Sequence, residues 1–230
     1  MRLDLHIHTC YSYDSLLSLE RLVDAVQRSG LDGIAVLDHD EIEGALRLRE
    51  WAPFTVIVGE EIGTLHGGIA GLFLRERIPP HLSAEETIVR IHEQGGLVLI
   101  PHPLARAVPG RIQQTKLCEI IHQVDIIEGY NARSPLAADD RHAREFAAQH
   151  AIPITAGSDA HFACEVGRAW TKMGDCQTSQ EFLRNLRRAT LHYTTKTLVL
   201  VPALTVAMIP ALTAWRLLKQ ALNLTSSTRT

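Results

Sequence analysis

The sequence predicts a single α/β domain in which about seven strands close a barrel. Short apolar runs typical of buried strands alternate with amphipathic helical segments, the order expected of βαβ units and a parallel sheet. The chain has 230 residues, a length at which α/β barrels commonly form one domain. Histidines and carboxylates directly follow several of the strand-like runs, which would gather them at one rim of the barrel.

The predicted strands are short, rich in branched apolar residues and bounded by polar or glycine-containing turns. They cover residues 3–7, 33–37, 55–58, 97–100, 125–127, 152–155 and 169–173. Two further runs, at residues 62–65 and 69–74, flank Gly67 and Gly68. A glycine pair between two strand patterns predicts a tight hairpin, which we expect to decorate the barrel.

The predicted helices are recognised by their caps. Ser18 precedes the first helical pattern, and Gly30 ends it. Two others begin with capping boxes, at Ser83 and Thr178, in which a glutamate follows the hydroxyl residue three positions later. The remaining helical stretches are predicted through residues 45–48 and over about 136–150.

Composition and charge limit the classes of function. Apolar residues make up 46% of the chain and charged residues 21%, as in ordinary globular proteins. The formal charge of −3 provides no extended surface for nucleic acid. The cysteines form no C-x-x-C pair, and the polar start of the chain does not resemble a signal peptide. We therefore expect a cytoplasmic protein with free thiols.

The end of the chain differs from the rest, so we divide the chain into a barrel domain, residues 1–195, and a hydrophobic tail, residues 196–230. The uncharged stretch 197–215 reaches about the minimum length of a membrane-spanning helix. Pro202 and Pro210 would interrupt a regular helix there. We expect the tail to pack on the barrel or on a partner, with membrane association as the alternative. The oligomeric state stays open.

Side chains that can bind metals follow the predicted strands. His6 and His8 are two residues apart on the first strand, so both point the same way. Later strands are followed by His39, Glu61, His102, Glu128, Asp159 and His161. Imidazole and carboxylate donors without thiolate suit Mn, Fe or Zn better than Mg alone. The pattern predicts a centre of several divalent cations that activates water for hydrolysis.

Five ordered motifs resemble those of the polymerase and histidinol phosphatase (PHP) domain family. They lie at residues 4–9, 38–40, 59–61, 101–103 and 157–161. The resemblance spans residues 1 to about 190 and implies a distorted seven-stranded (β/α)7 barrel with two or three metals that hydrolyses phosphoesters. It implies a first metal held by His6, His8, Glu61 and Asp159, a second shared by Glu61 and His102, and a third held by Asp14, His39 and His161.

The chain also departs from this family pattern. Many relatives carry a histidine near residues 128–131, where this chain has Glu128 and Asn131, so the second metal would be bound by Glu128, by a water, or only weakly. Asp14 stands where some three-metal relatives carry histidine. The segment between Glu61 and His102 lacks the inserted lobe of the nucleotide phosphatase branch, so the substrate does not follow from the resemblance.

Other residues at the same rim are predicted to act on the substrate. A third metal, a protonated His161 or Asp40 would stabilise or protonate the leaving oxygen. Arg106 and Arg133 would bind phosphate oxygens, and Asn131 would orient a base or a neighbouring ligand. The predicted protein is a metal-dependent phosphoesterase that acts on a small phosphomonoester, a nucleotide or a short oligonucleotide. The alternative is a metal-binding module without catalysis that acts in an assembly or at a membrane.

Overall fold

The computed structural model describes residues 1–194, 196, 197, 207 and 210. The strands in this part of the chain are β1 (Arg2–Ile7), β2 (Gly33–Val36), β3 (Thr55–Thr64), β4 (Gly67–Leu72), β5 (Leu97–Ile100), β6 (Ile126–Asn131), β7 (Ile154–Gly157), β8 (Ala169–Lys172) and β9 (Thr190–Tyr193). The helices are α1 (Leu19–Ser29), α2 (Glu43–Trp51), α3 (Ala84–Glu93), α4 (Gln114–Ile120), α5 (Ala137–Gln149) and α6 (Ser179–Leu186), with a 3-10 turn at Ile121–Gln123.

The strands form one mixed sheet in the order β7-β6-β5-β4-β3-β2-β1-β8-β9. The sheet curls until its two distant parts meet, because the His8 N–H donates to the Ala160 carbonyl at 2.9 Å and the Asp159 N–H donates to the His6 carbonyl at 2.8 Å. The α/β class and the barrel-like closure are confirmed. The prediction of a seven-stranded (β/α)7 barrel is wrong in detail, since the described sheet has nine strands of mixed direction.

The predicted hairpin belongs to the sheet and does not decorate it. β3 is one continuous strand that pairs in parallel with β2 over its first half and antiparallel with β4 over its second half. The other edge of β4 pairs antiparallel with β5. β4 is almost entirely buried, so its backbone groups need partners on both edges, and a strand inserted between β3 and β5 provides them.

The end of the barrel domain adds two strands that pair antiparallel. β8 was predicted and pairs antiparallel with β1, whereas β9 was not predicted and forms the edge beside β8. A four-residue segment such as β9 carries too little alternation to be recognised before its neighbour is known. Helix α4 was also missed, while the predicted caps at Ser18, Ser83 and Thr178 each accept a backbone N–H.

Two apolar clusters cover the two faces of the sheet. The helix-side cluster joins the strands to helices α1 to α5, and the inner cluster joins the concave face to α6 through Phe182 and Leu186. Leu3 and Leu5 belong to the inner cluster, but Ile7 belongs to the helix-side cluster. This change of face coincides with a register shift in the pairing of β1 with β2 and turns the end of β1 toward the rim.

The chain after β9 returns to the end of β6. The Lys196 ammonium donates to the Asn131 carbonyl at 2.7 Å and pairs with Asp140, and the Thr197 N–H donates to the Ala132 carbonyl at 2.8 Å. Apart from Lys196, Thr197 and residues 207 and 210, the predicted tail lies outside the described residues. Across the described part of the chain, no helix combines the length and apolar character needed to cross a membrane.

Phe182→Ala is expected to destabilise the fold strongly. Phe182 has no exposed surface and packs edge-on against Phe73 with ring centroids 5.3 Å apart. Truncation leaves a cavity in the inner cluster, and we expect a loss of about 3–5 kcal/mol in the free energy of unfolding, measured by urea denaturation. The control, Val89→Ala at a half-exposed site on α3, should change it by less than about 0.5 kcal/mol.

Candidate metal centre

The ring nitrogens of His6 and His8 face two carboxylates. The Nε2 atom of His6 lies 3.0 Å from His8 Nε2 and 3.2 Å from Glu61 Oε2. The Nε2 atom of His8 lies 3.3 Å from Asp159 Oδ1 and 3.5 Å from Glu61 Oε2. The structure therefore brings together the four residues that the family resemblance assigned to a first metal.

Glu61 connects this group to His102. Its second oxygen, Oε1, lies 3.5 Å from His102 Nε2. His102 is buried, and its other ring nitrogen, Nδ1, has no hydrogen-bond partner among the described residues. Ligand atoms of His6, His102 and Asp159 also lie within 4.8 Å of one another. The two oxygens of Glu61 thus face two neighbouring sets of donors, the arrangement expected of a bridging carboxylate.

A third group surrounds Asp14. Its Oδ2 atom lies 2.9 Å from His161 Nε2 and 3.4 Å from His39 Nε2. The other ring nitrogen of His161, Nδ1, lies 2.9 Å from the Asp159 carbonyl oxygen, an acceptor, which assigns a proton to Nδ1. Asp14, His39 and His161 are therefore adjacent, as the resemblance implied.

The backbone at the strand ends places these side chains. Asp40, His102 and Asp159 adopt left-handed conformations, with φ of 53°, 30° and 55°. Such conformations are uncommon outside glycine and concentrate at functional sites. The Asp40 N–H also donates to the Glu61 carbonyl at 3.0 Å, and the Glu61 N–H donates to the Asp38 carbonyl at 3.2 Å. These bonds tie the loop after β2 to the middle of β3.

The electrostatics of the group favour ionised carboxylates. Burial opposes ionisation of Glu61 and Asp159, but the surrounding histidines outweigh it and hold the pKa of both carboxyl groups well below the usual range. Burial, together with His161 and His39, lowers the pKa of His8 to about 3. Ionised carboxylates and a neutral imidazole are the protonation states that bind metal ions.

The carboxylates also create a negative potential at the centre. Burial would lower the pKa of His39, but Glu61 and Asp14 raise it to about 9. The same competition raises the pKa of His6, where Glu128 and Asp159 outweigh burial. A cluster that stabilises positive charge this strongly has the electrostatic character of a cation site. Together with the imidazole and carboxylate donor set, it fits divalent metals.

Glu128 does not occupy the predicted ligand position. Its Oε1 atom lies 3.0 Å from His6 Nδ1, on the side of the ring away from the other donors, and its Oε2 atom accepts from the His102 N–H at 2.7 Å. None of the groups of potential metal ligands found among the described residues includes it. Both oxygens of Glu128 are instead engaged by protein groups behind the first group of donors.

The Asn131 side chain connects Glu128 to Asp159 and does not line the cavity over the donor groups. Its amide donates to Glu128 Oε2 at 3.0 Å and to Asp159 Oδ2 at 3.2 Å. Its side-chain oxygen accepts the backbone N–H groups of Arg133 and Ser134. The predicted role in orienting neighbouring ligands agrees with this position, whereas direct contact with a substrate does not.

The two predicted phosphate-binding arginines differ in position. Arg106 pairs with Asp139 at 2.9 Å, leaves 63% of its side chain exposed and does not line the cavity over the metal centre. Arg133 is buried, lines that cavity and places its Nε atom 3.2 Å from Glu165 Oε1. Only Arg133 of the two is therefore placed to meet a substrate.

The donor groups, apart from His6, line a cavity of about 520 Å³. Its walls include Tyr13, Asp40, Thr64, Pro135 and the segment 107–110. A side chain at Gly68 would lie 3.0 Å from Glu61 Oε1, so glycine in β4 leaves room for the bridging carboxylate. Sequence reasoning missed Tyr13, whose ring stacks on His39 at a centroid distance of 4.8 Å, although its position beside Asp14 was a usable signal.

Sequence comparisons connect the chain to known proteins. The model of a protein family described as "PHP-associated" matches residues 139–191 of this chain. An uncharacterized protein of Methanocaldococcus jannaschii, MJ1587, is 37% identical over 148 residues, which cover 57% of this chain and 82% of the relative. A second one, MJ0417, is 32% identical over 178 residues, covering 76% of this chain and 71% of the relative. The chain belongs to the PHP domain family.

Solved structures share the fold at low sequence identity. A two-domain protein from Bacteroides vulgatus, described as containing a predicted PHP-like metal-dependent phosphoesterase, superposes with a TM-score of 0.67 at 18% identity and covers 84% of this chain. This chain spans only 64% of that protein. PsfC from Pseudomonas syringae superposes with a TM-score of 0.64 at 20% identity, over 96% of this chain and 98% of PsfC.

Glu61→Gln is expected to weaken metal binding by at least about tenfold without unfolding the protein, because it removes the charge and one oxygen of the carboxylate that faces both sets of donors. Elemental analysis after dialysis against graded chelator measures the effect. His142→Ala, at an exposed position on α5, is the control and should bind metal like the unaltered chain. Equal metal retention by both variants would contradict the position given to Glu61.

Proposed function

We propose that this protein is a metal-dependent phosphoesterase that hydrolyses a small phosphomonoester, a nucleotide or a short oligonucleotide. One observation carries the proposal: eight imidazole and carboxylate side chains from separate segments meet in one cluster, and all of them except His6 line a single cavity. They are His6, His8, Asp14, His39, Glu61, His102, Asp159 and His161. Membership in the PHP domain family and the fold shared with a predicted phosphoesterase support the same chemistry.

The residues divide into sets that would hold two or three Mn, Fe or Zn ions. His6, His8, Glu61 and Asp159 form the first set, Glu61 with His102 forms the second, and Asp14, His39 and His161 form the third. When bound, such cations would act as Lewis acids that make water nucleophilic near neutral pH and offset the charge of a phosphate group. Glu61 would link the first two sets through its separate oxygens.

Arg133 supplies the positive side chain that a phosphate needs beyond the metals. Arg133 lines the cavity, and its Nε atom pairs with Glu165, whose second oxygen accepts the backbone N–H of His161 at 2.9 Å. This shared carboxylate fixes Arg133 relative to the donor group that contains His161. A planar guanidinium held in this way can bind two phosphate oxygens without first losing much conformational freedom.

Proton transfer to the leaving oxygen is assigned to Asp40 or His161. Asp40 lines the cavity, and its Oδ1 atom accepts the Gly63 N–H at 2.7 Å, which holds the carboxyl group at the mouth. His161 lies deeper, against Asp14. If Nε2 of His161 is engaged by a metal, that atom has no proton to give and Nδ1–H is bound to the Asp159 carbonyl, so Asp40 would then be the acid for the leaving group.

The cavity indicates the size of the substrate. A volume of about 520 Å³ is within the usual range for small-molecule sites. Val108, Pro109 and Pro135 give part of the wall an apolar character opposite the polar floor. A molecule with a phosphate at one end and a flat, weakly polar group at the other matches both surfaces. The formal charge of −3 agrees with a short ligand and not with an extended nucleic-acid track.

The direct test is turnover by protein loaded separately with Mn²⁺, Fe²⁺ or Zn²⁺. We expect phosphate release from an aryl phosphate or from members of a nucleotide panel, and labelled short RNA separates stepwise shortening from removal of a terminal phosphate. Folded, metal-loaded protein that hydrolyses none of these would overturn the proposal and favour a metal-binding module without catalysis.

Arg133→Met is expected to raise KM for a phosphomonoester by about tenfold, because one charge-assisted contact to phosphate is lost. Steady-state kinetics on protein with an unchanged circular dichroism spectrum measure the effect. Arg106→Met removes an arginine outside the cavity and is the matched control, with KM expected within about twofold of the unaltered chain. Similar KM changes in both variants would argue against the assignment.

A further inference from the structure

A buried carboxylate lies directly behind the first group of metal donors. Glu128, on β6, is only 2% exposed, and its Oε1 atom is 3.0 Å from Nδ1 of His6, on β1. The opposite nitrogen of the same ring, Nε2, faces His8 and Glu61. The His6 imidazole is therefore held between a carboxylate on one side and the donor group on the other.

This geometry determines which nitrogen of His6 is available to a cation. When Nδ1–H donates to Glu128, Nε2 carries the lone pair and points into the donor group. The other tautomer would place two lone pairs against each other at Glu128 and a proton where a metal would bind. A carboxylate behind a histidine is a recognised means of orienting a metal ligand and increasing its basicity.

The second oxygen of Glu128 orders a different part of the site. Oε2 accepts the backbone N–H of His102 at 2.7 Å and the side-chain amide of Asn131 at 3.0 Å. His102 has a φ of 30°, so this hydrogen bond stabilises an uncommon backbone conformation. The amide of Asn131 also reaches Asp159 at 3.2 Å. The Glu128 carboxylate thus contacts His6 directly. It also binds the backbone of His102 and, through the amide of Asn131, is connected to Asp159.

Strand β7 leaves room for the contact between His6 and Glu128. A Cβ atom at Gly157, on β7, would lie 2.4 Å from His6 Cβ and 2.6 Å from Glu128 Oε1. No side chain fits there without displacing the ring or the carboxylate. The absence of a side chain at position 157 therefore permits the close approach of β1 and β6 side chains across the seam of the barrel.

We propose that Glu128 is a positioning residue that selects the Nδ1–H tautomer of His6 and orients its Nε2 atom toward the first metal. The inference rests on the proposed metal centre but not on the identity of the substrate. Loss of the Glu128 carboxylate should weaken metal binding at the first set of donors by about 10- to 100-fold, the usual effect of removing the hydrogen-bond partner of a metal ligand. Glu128 itself contributes no oxygen to the metal.

The test uses the full chain loaded with diamagnetic Zn²⁺ and labelled with ¹⁵N-histidine. In the unaltered protein we expect one His6 signal with a protonated Nδ1 that exchanges slowly with solvent. Glu128→Ala should lose this protection and bind Zn²⁺ about 10- to 100-fold more weakly in competition with a chelator. Glu128→Gln retains a carbonyl oxygen for His6 and should preserve the tautomer with an intermediate affinity.

Asp139→Asn is the matched control. Asp139 is also a carboxylate with only 2% exposure, but its side chain accepts hydrogen bonds from the backbone and side chain of Arg106. We expect Zn²⁺ affinity within about twofold of the unaltered chain and an unchanged His6 signal, because no metal donor depends on Asp139. This variant separates the specific contact with His6 from the general effect of removing a buried negative charge.

The outcomes distinguish this inference from the proposed function. If Glu128→Ala, or Glu128→Gln should the alanine variant not fold, keeps the His6 signal and loses no affinity, the role of Glu128 is wrong and the phosphoesterase proposal stands. If Zn²⁺ binds and the variants behave as expected but no phosphoester is hydrolysed, Glu128 keeps its role and the function is wrong. If the unaltered chain binds none of Zn²⁺, Mn²⁺ and Fe²⁺, both are overturned.

Discussion

Charge compensation among buried groups is the constraint on which the rest of the molecule depends. Glu61 and Asp159 lie almost out of contact with water, where an ionised carboxylate is unstable unless positive or hydrogen-bonding partners surround it. Histidines from several loops provide this compensation, as the lowered pKa values of both carboxyl groups show. The partners come from distant parts of the chain, so the centre forms only when the barrel closes.

The barrel satisfies this constraint through the ends of its strands. The face change along β1 directs Leu3 and Leu5 into the inner cluster, while His6 and His8 meet the donor group near the rim. Left-handed residues after β2, β5 and β7 then turn the chain so that loop side chains point inward. The packed inner cluster below the rim keeps these ends in register, which links the stability of the core to the precision of the site.

Particular residues show why prediction succeeded in some places and failed in others. Ser18, Ser83 and Thr178 were recognised as caps because capping joins residues three positions apart. β4 was misplaced because a hairpin pattern does not reveal what pairs with its second edge. The positions of Glu128 and Arg106 differ from the expectation because their partners come from remote segments, His6 and Asp139, which no local pattern identifies.

The sequence by itself determined the α/β class, the succession of most strands and helices, and the positions of the imidazole and carboxylate groups at strand ends, because these depend on periodicity and local hydrogen bonding. Only the tertiary structure decided which groups face one another, which carboxylate lies behind a ligand and which arginine reaches the cavity. Those relations depend on strand pairing and on the direction of side chains across the closed sheet, and no local pattern encodes the distance between residues as far apart in the chain as His6 and Glu128.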